Sequence, residues 1–261
     1  MRLPAHRDDW VWVLALALPL LARLHGEDAA AAMQRLQVLA LALAVTGAWA
    51  LLFAHLARRS VGTGLPAFAL IFVIMLPGPV GLGVAAVALS FGAVFGREVF
   101  GGQPILAPAM IGLAFAIYSF PGAGFEALGV LEAAPDPVFA LSCVAAAAIV
   151  MALRCALPWQ VAAGAVLGAV LTGVLMDGPS GWEFLARGGF AAGVLLLAAS
   201  PVSAVERPAA RVLHGVLVGA LVVVFRLAHP EHAGGVVFAA LLGTLFAPLF
   251  DRALGWRRRH D

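Results

Sequence analysis

The sequence predicts an all-α, polytopic membrane protein of about ten transmembrane helices, arranged as two inverted five-helix repeats. Three observations carry this expectation. Of the 261 residues, 63% are hydrophobic and 11% charged, with a mean hydropathy of +1.01. That is more apolar surface than one soluble domain of this length can hide. Apolar runs of roughly 18 or more residues recur from end to end, each able to cross about 30 Å of hydrocarbon as a helix. Finally, one arrangement of helices, prolines and glycines occurs twice. No segment between the runs has room for a soluble domain, so residues 1–261 read as a single integral membrane domain, with repeat 1 at about 10–120 and repeat 2 at about 137–254. A net charge of +2 gives no signal for a nucleic-acid partner, and none is expected.

Taken in order, hydropathy and helix breakers place spans at roughly 10–24, 36–56, 64–77, 80–97, 104–120, 137–156, 158–176, 183–200, 210–227 and 234–254. The first is preceded by Arg2, Arg7, Asp8 and Asp9 and lacks a small-residue cleavage site, so it is expected to be a retained helix and not a signal peptide. Proline and glycine separate the rest: "PGP" (77–79) between the third and fourth, "FPGAG" (120–124) after the fifth, "DGPSG" (177–181) after the seventh and "HPEHAGG" (229–235) before the tenth.

The 16 basic residues are all Arg. With the amino terminus in the cytoplasm, Arg2, Arg7, Arg58, Arg59, Arg97, Arg154, Arg207, Arg211, Arg252, Arg257, Arg258 and Arg259 fall on that side. Only Arg23, Arg35, Arg187 and Arg226 fall opposite. The positive-inside rule expects such a bias for ten spans with both termini cytoplasmic. The loop from Gly122 to Asp136 is then extracytoplasmic.

The repeated units are "FALIFVIMLPGPVGLGVAAVALSFGAVFGREVFGGQPILAPAMIGLAFA" and "GVLLLAASPVSAVERPAARVLHGVLVGALVVVFRLAHPEHAGGVVFAALLGTLFAP". Each has an apolar helix ending at proline, a second helix ending near Arg, a double glycine, and a third helix with Ala-Pro (Ala107-Pro108 and Ala247-Pro248). Five spans separate them, an odd number, so corresponding helices run in opposite directions. Inverted repeats usually hold their ligand or ion site between the halves.

The stretch "FGREVFGG" (95–102) concentrates the candidate site. Arg97 and Glu98 close the fourth span, where a pair snorkelling to the headgroups is one reading. The other is a site: Gly101 and Gly102 let the backbone approach a ligand or a neighbouring helix, and "PILAPAM" (104–110) opens the next span at an interrupted helix around Pro108.

These residues carry a resemblance. "SFGAVFGREVFGG" (90–102), "APAM" (107–110) and "FPG" (120–122) resemble the NqrB/RnfD family of membrane subunits. So do "PWQVAAGAVLGAVLTGVL" (158–175), "GGFAAGVLLLAASPVSA" (188–204) and "HGVLVGALVVVFRLAHPEHAGGVVFAALLGTLFAPLFD" (214–251), over about residues 60 to 252 in all. The resemblance implies ten helices in inverted repeats, a bacterial inner-membrane location, and a subunit of the RNF or NQR complexes. Those complexes couple electron transfer to Na⁺ or H⁺ movement beside flavin, iron–sulfur and other membrane subunits. It also implies FMN linked to Thr in a Ser-Gly-Ala-Thr motif after the fifth span. Here the chain departs, because its loop "GAGFEALGVLEAAPDP" (122–137) contains no Ser or Thr, and covalent FMN is not expected. Ala107 stands where the family has Asn before Pro-Ala, and Ser200 where NqrB-type members have Asp before Pro-Val-Ser-Ala. Both changes remove polarity from the helix breaks and weaken the case for a cation site there.

The expected function is an integral subunit of an RNF/NQR-like complex that contacts quinone or non-covalent flavin near "REVFGG". Arg97 would be the donor, with Glu98, Gly101, Gly102, Pro108, Ser200 and Ser203 around the helix breaks. The alternatives are a channel or transporter whose halves line a pore with Ser200, Ser203 and Thr244, and a scaffold that holds redox neighbours at tunnelling distance. No metal site is expected.

Other motifs have simpler readings. Ser180 in "DGPSG" sits in a turn, and His229 and His232 lie on a loop. Gly164 with Gly168, and Gly215 with Gly219, are GxxxG pairs for close helix packing. Interhelical hydrogen bonding is favoured over proton relay for His214. Cys143 and Cys155, about 18 Å apart along one helix, cannot pair.

Overall fold

The structure, a computed structural model, describes residues 9–58, 60–61, 64–76, 80–101, 106–123, 137–154, 157–178, 185, 189–199, 205, 207–229 and 234–256. The described residues contain helices and turns and no strand. Their helices are α1 (Asp9–His25), α2 (Ala29–Leu56), α3 (Leu65–Met75), α4 (Leu82–Gly96), α5 (Pro108–Ser119), α6 (Pro137–Leu153), α7 (Trp159–Asp177), α8 (Phe190–Gly193), α9 (Pro208–Ala228) and α10 (Gly235–Trp256). A 3₁₀ turn, Glu98–Phe100, follows α4, and α8 continues directly into a π-helical segment, Val194–Ala198.

Each predicted span therefore has its helix, with shifted ends. Helix α2 begins at Ala29 because Asp28 caps it, accepting the Ala31 amide at 2.7 Å. Helix α5 begins at Pro108, whose missing N–H costs nothing in a helix's first turn. Among the described residues five segments are long and apolar enough to cross a membrane: Ala29–Leu56, Leu82–Phe100, Trp159–Asp177, Pro208–Ala228 and Gly235–Leu254. The chain is a multi-pass membrane protein. Helix α3 has 11 residues and α5 has 12, so each reaches only about 16–18 Å, roughly half the hydrocarbon thickness.

Helices α2 and α4 pack together, as do α7 and α9, α4 and α5, and α9 and α10. Across the molecule α1 meets α6 and α5 meets α10. Helix α3 lies inside, with every residue from Phe68 to Met75 buried, against α1, α2 and α5.

Glycine sets the two tightest crossings. A β-carbon at Gly164 would lie 2.3 Å from the Val212 carbonyl oxygen, and one at Gly168 would lie 2.2 Å from that of Val216. In return, β-carbons at Gly215 and Gly219 would meet the oxygens of Val161 and Ala165 at 2.1 and 2.0 Å. The two GxxxG pairs thus face each other, and because their numbering rises together, α7 and α9 run parallel. Close approach of this kind replaces the hydrophobic drive that lipid cannot supply. In the other half, Gly92 lies against Pro108 and Gly112, and Gly112 against Ala88, so α4 and α5 run antiparallel.

Candidate functional site

Helix α4 stops because the chain turns at Arg97 (φ −144°, ψ −55°). The 3₁₀ turn follows, with the Phe100 amide donating to the Arg97 carbonyl and the Gly101 amide to that of Glu98, both at 3.1 Å. Gly101 ends it at φ +74°, the left-handed region that glycine enters without cost. A β-carbon there would meet nothing within 4 Å, so backbone conformation, and not crowding, is what requires this glycine.

Arg97 and Glu98 do not snorkel. Each is 4% exposed, with Arg97 Nη1 3.8 Å from Glu98 Oε1. Val99 and Phe100 instead turn outward, at 55% and 44% exposure. The turn thus hides an ion pair and shows an apolar edge. It packs against α2 as well as α4. One residue earlier, Gly96 faces the start of α5: a β-carbon there would lie 2.7 Å from Pro108 Cα. Arg97, Glu98, Gly101 and Pro108 are therefore held at one end of the α4–α5 pair. Gly102, Ser200 and Ser203 lie outside the described residues.

Ala107 is the N-cap of α5 and offers no side-chain cap, as expected where an amide is missing. Ala247-Pro248 is not its structural counterpart, because Pro248 lies inside α10 and does not open a helix. The Thr244 hydroxyl donates to the Ala240 carbonyl at 2.8 Å, one turn back in its own helix, and the residue is buried.

His214 also departs from expectation. It is fully buried, and neither ring nitrogen has a hydrogen-bond partner among the described residues. Of the flavin-loop stretch 122–137, only Gly122, Ala123 and Pro137 are described, and Ser180, His232 and Cys155 lie outside. His229 caps α9, its amide donating to the Phe225 carbonyl at 2.9 Å. Among the described residues no group of three His, Cys, Asp or Glu could hold a metal ion.

The cluster that the sequence did not reveal is at the other break. Helix α3 ends at Met75 with its last carbonyls buried in protein, and two guanidinium groups cap them. Arg23, near the end of α1, donates from Nε to the Ile74 oxygen at 3.3 Å and from Nη2 to that of Leu76 at 2.6 Å. Arg35, in α2, donates from Nη1 to Val73 at 2.8 Å and Leu76 at 3.2 Å. Its Nε lies 2.9 Å from both Glu27 carboxylate oxygens, and Nη2 also donates to Glu27. Cations at a helix C-terminus complement both its unpaired carbonyls and its dipole. The sequence signal was present: a short apolar helix ending at "PGP", with Arg23 and Arg35 flanking the hairpin turn that carries Glu27.

Comparison with known proteins agrees with this architecture. Over 257 residues the chain is 29% identical to a subunit of the Na(+)-translocating NADH-quinone reductase of Pseudomonas aeruginosa strain PAO1, the one designated B, covering 79% of this chain and 63% of that protein. It is 28% identical over 266 residues to the protein of the same name from Azotobacter vinelandii, covering 83% and 66%. For the protein of that name from Neisseria meningitidis serogroup A the figures are 27% over 302 residues, with 94% and 73% covered. The chain thus spans about 63% of the length of the Pseudomonas relatives it matches. The model of the NQR2, RnfD, RnfE family matches residues 6–258, nearly the whole chain, and the protein belongs to that family.

Proposed function

We propose that this chain is an integral subunit of an RNF/NQR-like electron-transport complex in the bacterial cytoplasmic membrane, with both termini cytoplasmic. In this reading it contacts a quinone, or a non-covalently held flavin, at the turn between α4 and α5. The carrying observation is the combination at that turn: a buried Arg97–Glu98 pair behind an outward edge of Val99, Phe100 and Gly101.

An aromatic or quinonoid ring would rest on the apolar edge and on the open side of Gly101. The Arg97 guanidinium would donate to a ring carbonyl, with Glu98 holding that cation in place. The ring supplies the redox chemistry; the residues of this chain bind and orient it. Nothing in 122–137 can accept a phosphoester, which favours a non-covalent ligand. Two inverted halves remain part of this reading. They are supported by the corresponding partners, α2 on α4 and α7 on α9, α4 on α5 and α9 on α10.

The test is Arg97→Gln in the purified complex. A charge-assisted hydrogen bond of about 1.5–3 kcal/mol corresponds to a roughly 10–100-fold rise in quinone KM, with the complex still assembled. An unchanged KM, or a complex purified without quinone and without non-covalent flavin, overturns the assignment. Fluorescence of this polypeptide on a denaturing gel would show covalent flavin and separately overturn the reading of the 122–137 loop.

A further inference from the structure

In the seam between α9 and α10, the imidazole of His214 is fully buried. It points at Gly243 of α10, where a β-carbon would lie 3.2 Å from Nε2. The same β-carbon would lie 2.4 Å from Val218 Cγ2, so Gly243 leaves room for one imidazole and little more. One turn to either side of His214 on α9 lie Ala210 and Val218, both fully buried.

Among the described residues no group hydrogen-bonds the ring, and the buried Gln160 Oε1 on α7 is unpaired as well. Thr244 spends its hydroxyl on Ala240. On α10 the titratable residues are Asp251 and Arg252, about 12 Å along the helix from Gly243, and Asp251 accepts the Arg207 amide at 3.2 Å. On α9, Arg211 turns away to donate to the Val205 carbonyl at 2.7 Å, and Arg226 lies about 18 Å farther along. Helix α7 carries only Asp177, at its far end, and Phe190–Ala198 carries no titratable residue.

A buried neutral ring with two nitrogens that have no hydrogen-bond partner among the described residues is a costly thing to keep in a packed seam, where an apolar side chain of similar volume would leave no polar atom unpaired. We propose that His214 is a proton-binding site within the membrane domain, and that taking up a proton separates α9 from α10. The proton comes from water and ends on a ring nitrogen, leaving an imidazolium with two N–H donors. Among the described residues the closed seam offers these donors no acceptor, and the ring is fully buried. The charged ring is accommodated only when the helices part enough to admit water or to bring a carbonyl to it. Gly243 makes the closed state possible, and the shared contact makes ring charge and helix spacing one equilibrium. This inference does not depend on the quinone reading.

The test uses the full chain in lipid nanodiscs, with Cys143 and Cys155 replaced by Ser and spin labels at Leu213→Cys and Leu249→Cys, both exposed positions on α9 and α10. Between about pH 8 and pH 4, a range wide enough for a ring that must open the seam to take its proton, the distance between labels should lengthen by about 1–2 Å or more, the size of a switching helix shift. The change should vanish in His214→Leu, which removes both nitrogens at a volume near that of the imidazole, and in His214→Gln, which keeps polarity without titrating there. ¹⁵N-histidine spectra should show one imidazolium signal fewer in either variant at the acid end. A distance that ignores pH, or a pH response retained in both variants, overturns the proposal.

Discussion

The two halves of the molecule each contain a short, buried helix that stops inside the protein, yet they solve the resulting problem differently. In the first half, α3 ends on carbonyls that receive two guanidinium groups, Arg23 and Arg35. In the second, α8 widens into the π-helical segment Val194–Ala198, and the Ala199 amide donates to the Val194 carbonyl at 2.8 Å. The first end is capped by charges from neighbouring helices, whereas in the second the helical pitch changes over Val194–Ala198, all of it buried and apolar. Charge makes the first break rigid. A π-helical turn is a register that a helix can gain or lose, and such turns gather at functional positions. Backbone groups in a membrane must be satisfied, and the first break meets that need with side chains from two other helices.

The largest effect should come from breaking the first solution. Arg35→Ala removes two bonds to α3 and strands Glu27, and breaking such a buried pair costs about 3 kcal/mol or more. Thermal unfolding in nanodiscs would read it. Arg35→Lys should recover part of the loss, because an ammonium keeps the charge but not the fork that spans Glu27 and the carbonyls. In the second half, Arg211→Ala removes a single bond to the Val205 carbonyl and should cost clearly less. Equal losses would erase the contrast between halves.

Next in size is Gly219→Ala, whose β-carbon would meet the Ala165 oxygen at 2.0 Å, backbone against backbone. The helices must separate, at about 1–3 kcal/mol. Gly101→Ala meets no atom and should lose only the left-handed preference, about 1 kcal/mol. The smallest changes should be Thr46→Val and Thr244→Val. Each hydroxyl bonds a carbonyl of its own helix, at 2.7 and 2.8 Å, where that carbonyl already has a helical partner. Losses of less than about 1 kcal/mol are expected in both halves. A larger loss at Thr244 alone would show that the α9–α10 seam uses its hydroxyl in a second state.

Much of the helical outline was legible because hydropathy and proline act locally. The fifth span could be seen to break near Pro108, and the GxxxG pairs announced a close crossing. Neither Gly164 nor Gly215 named its partner, since pairing across a bundle leaves no local trace. Arg23 and Arg35 were placed on the side opposite most of the arginines, with no partner named, and the structure buries both against carbonyls of α3. Arg97 and Glu98 were equally open to snorkelling or burial, because adjacency in sequence does not say which way a turn faces. His214 was expected to find a partner across its helices, and the residue opposite proved to be Gly243.

Taken alone, the sequence determined that the chain lives in a bilayer, where most of its helices begin and end to within a few residues (α2 and α8 start seven residues from the expected positions), and where glycine and proline would bend or tighten them. These are consequences of transfer free energy and backbone sterics, which act on short windows. Tertiary structure decided which charges are hidden, which carbonyls they serve, and which ring was left without a partner. Those outcomes depend on residues far apart in the chain, and only packing brings them within a hydrogen bond of each other.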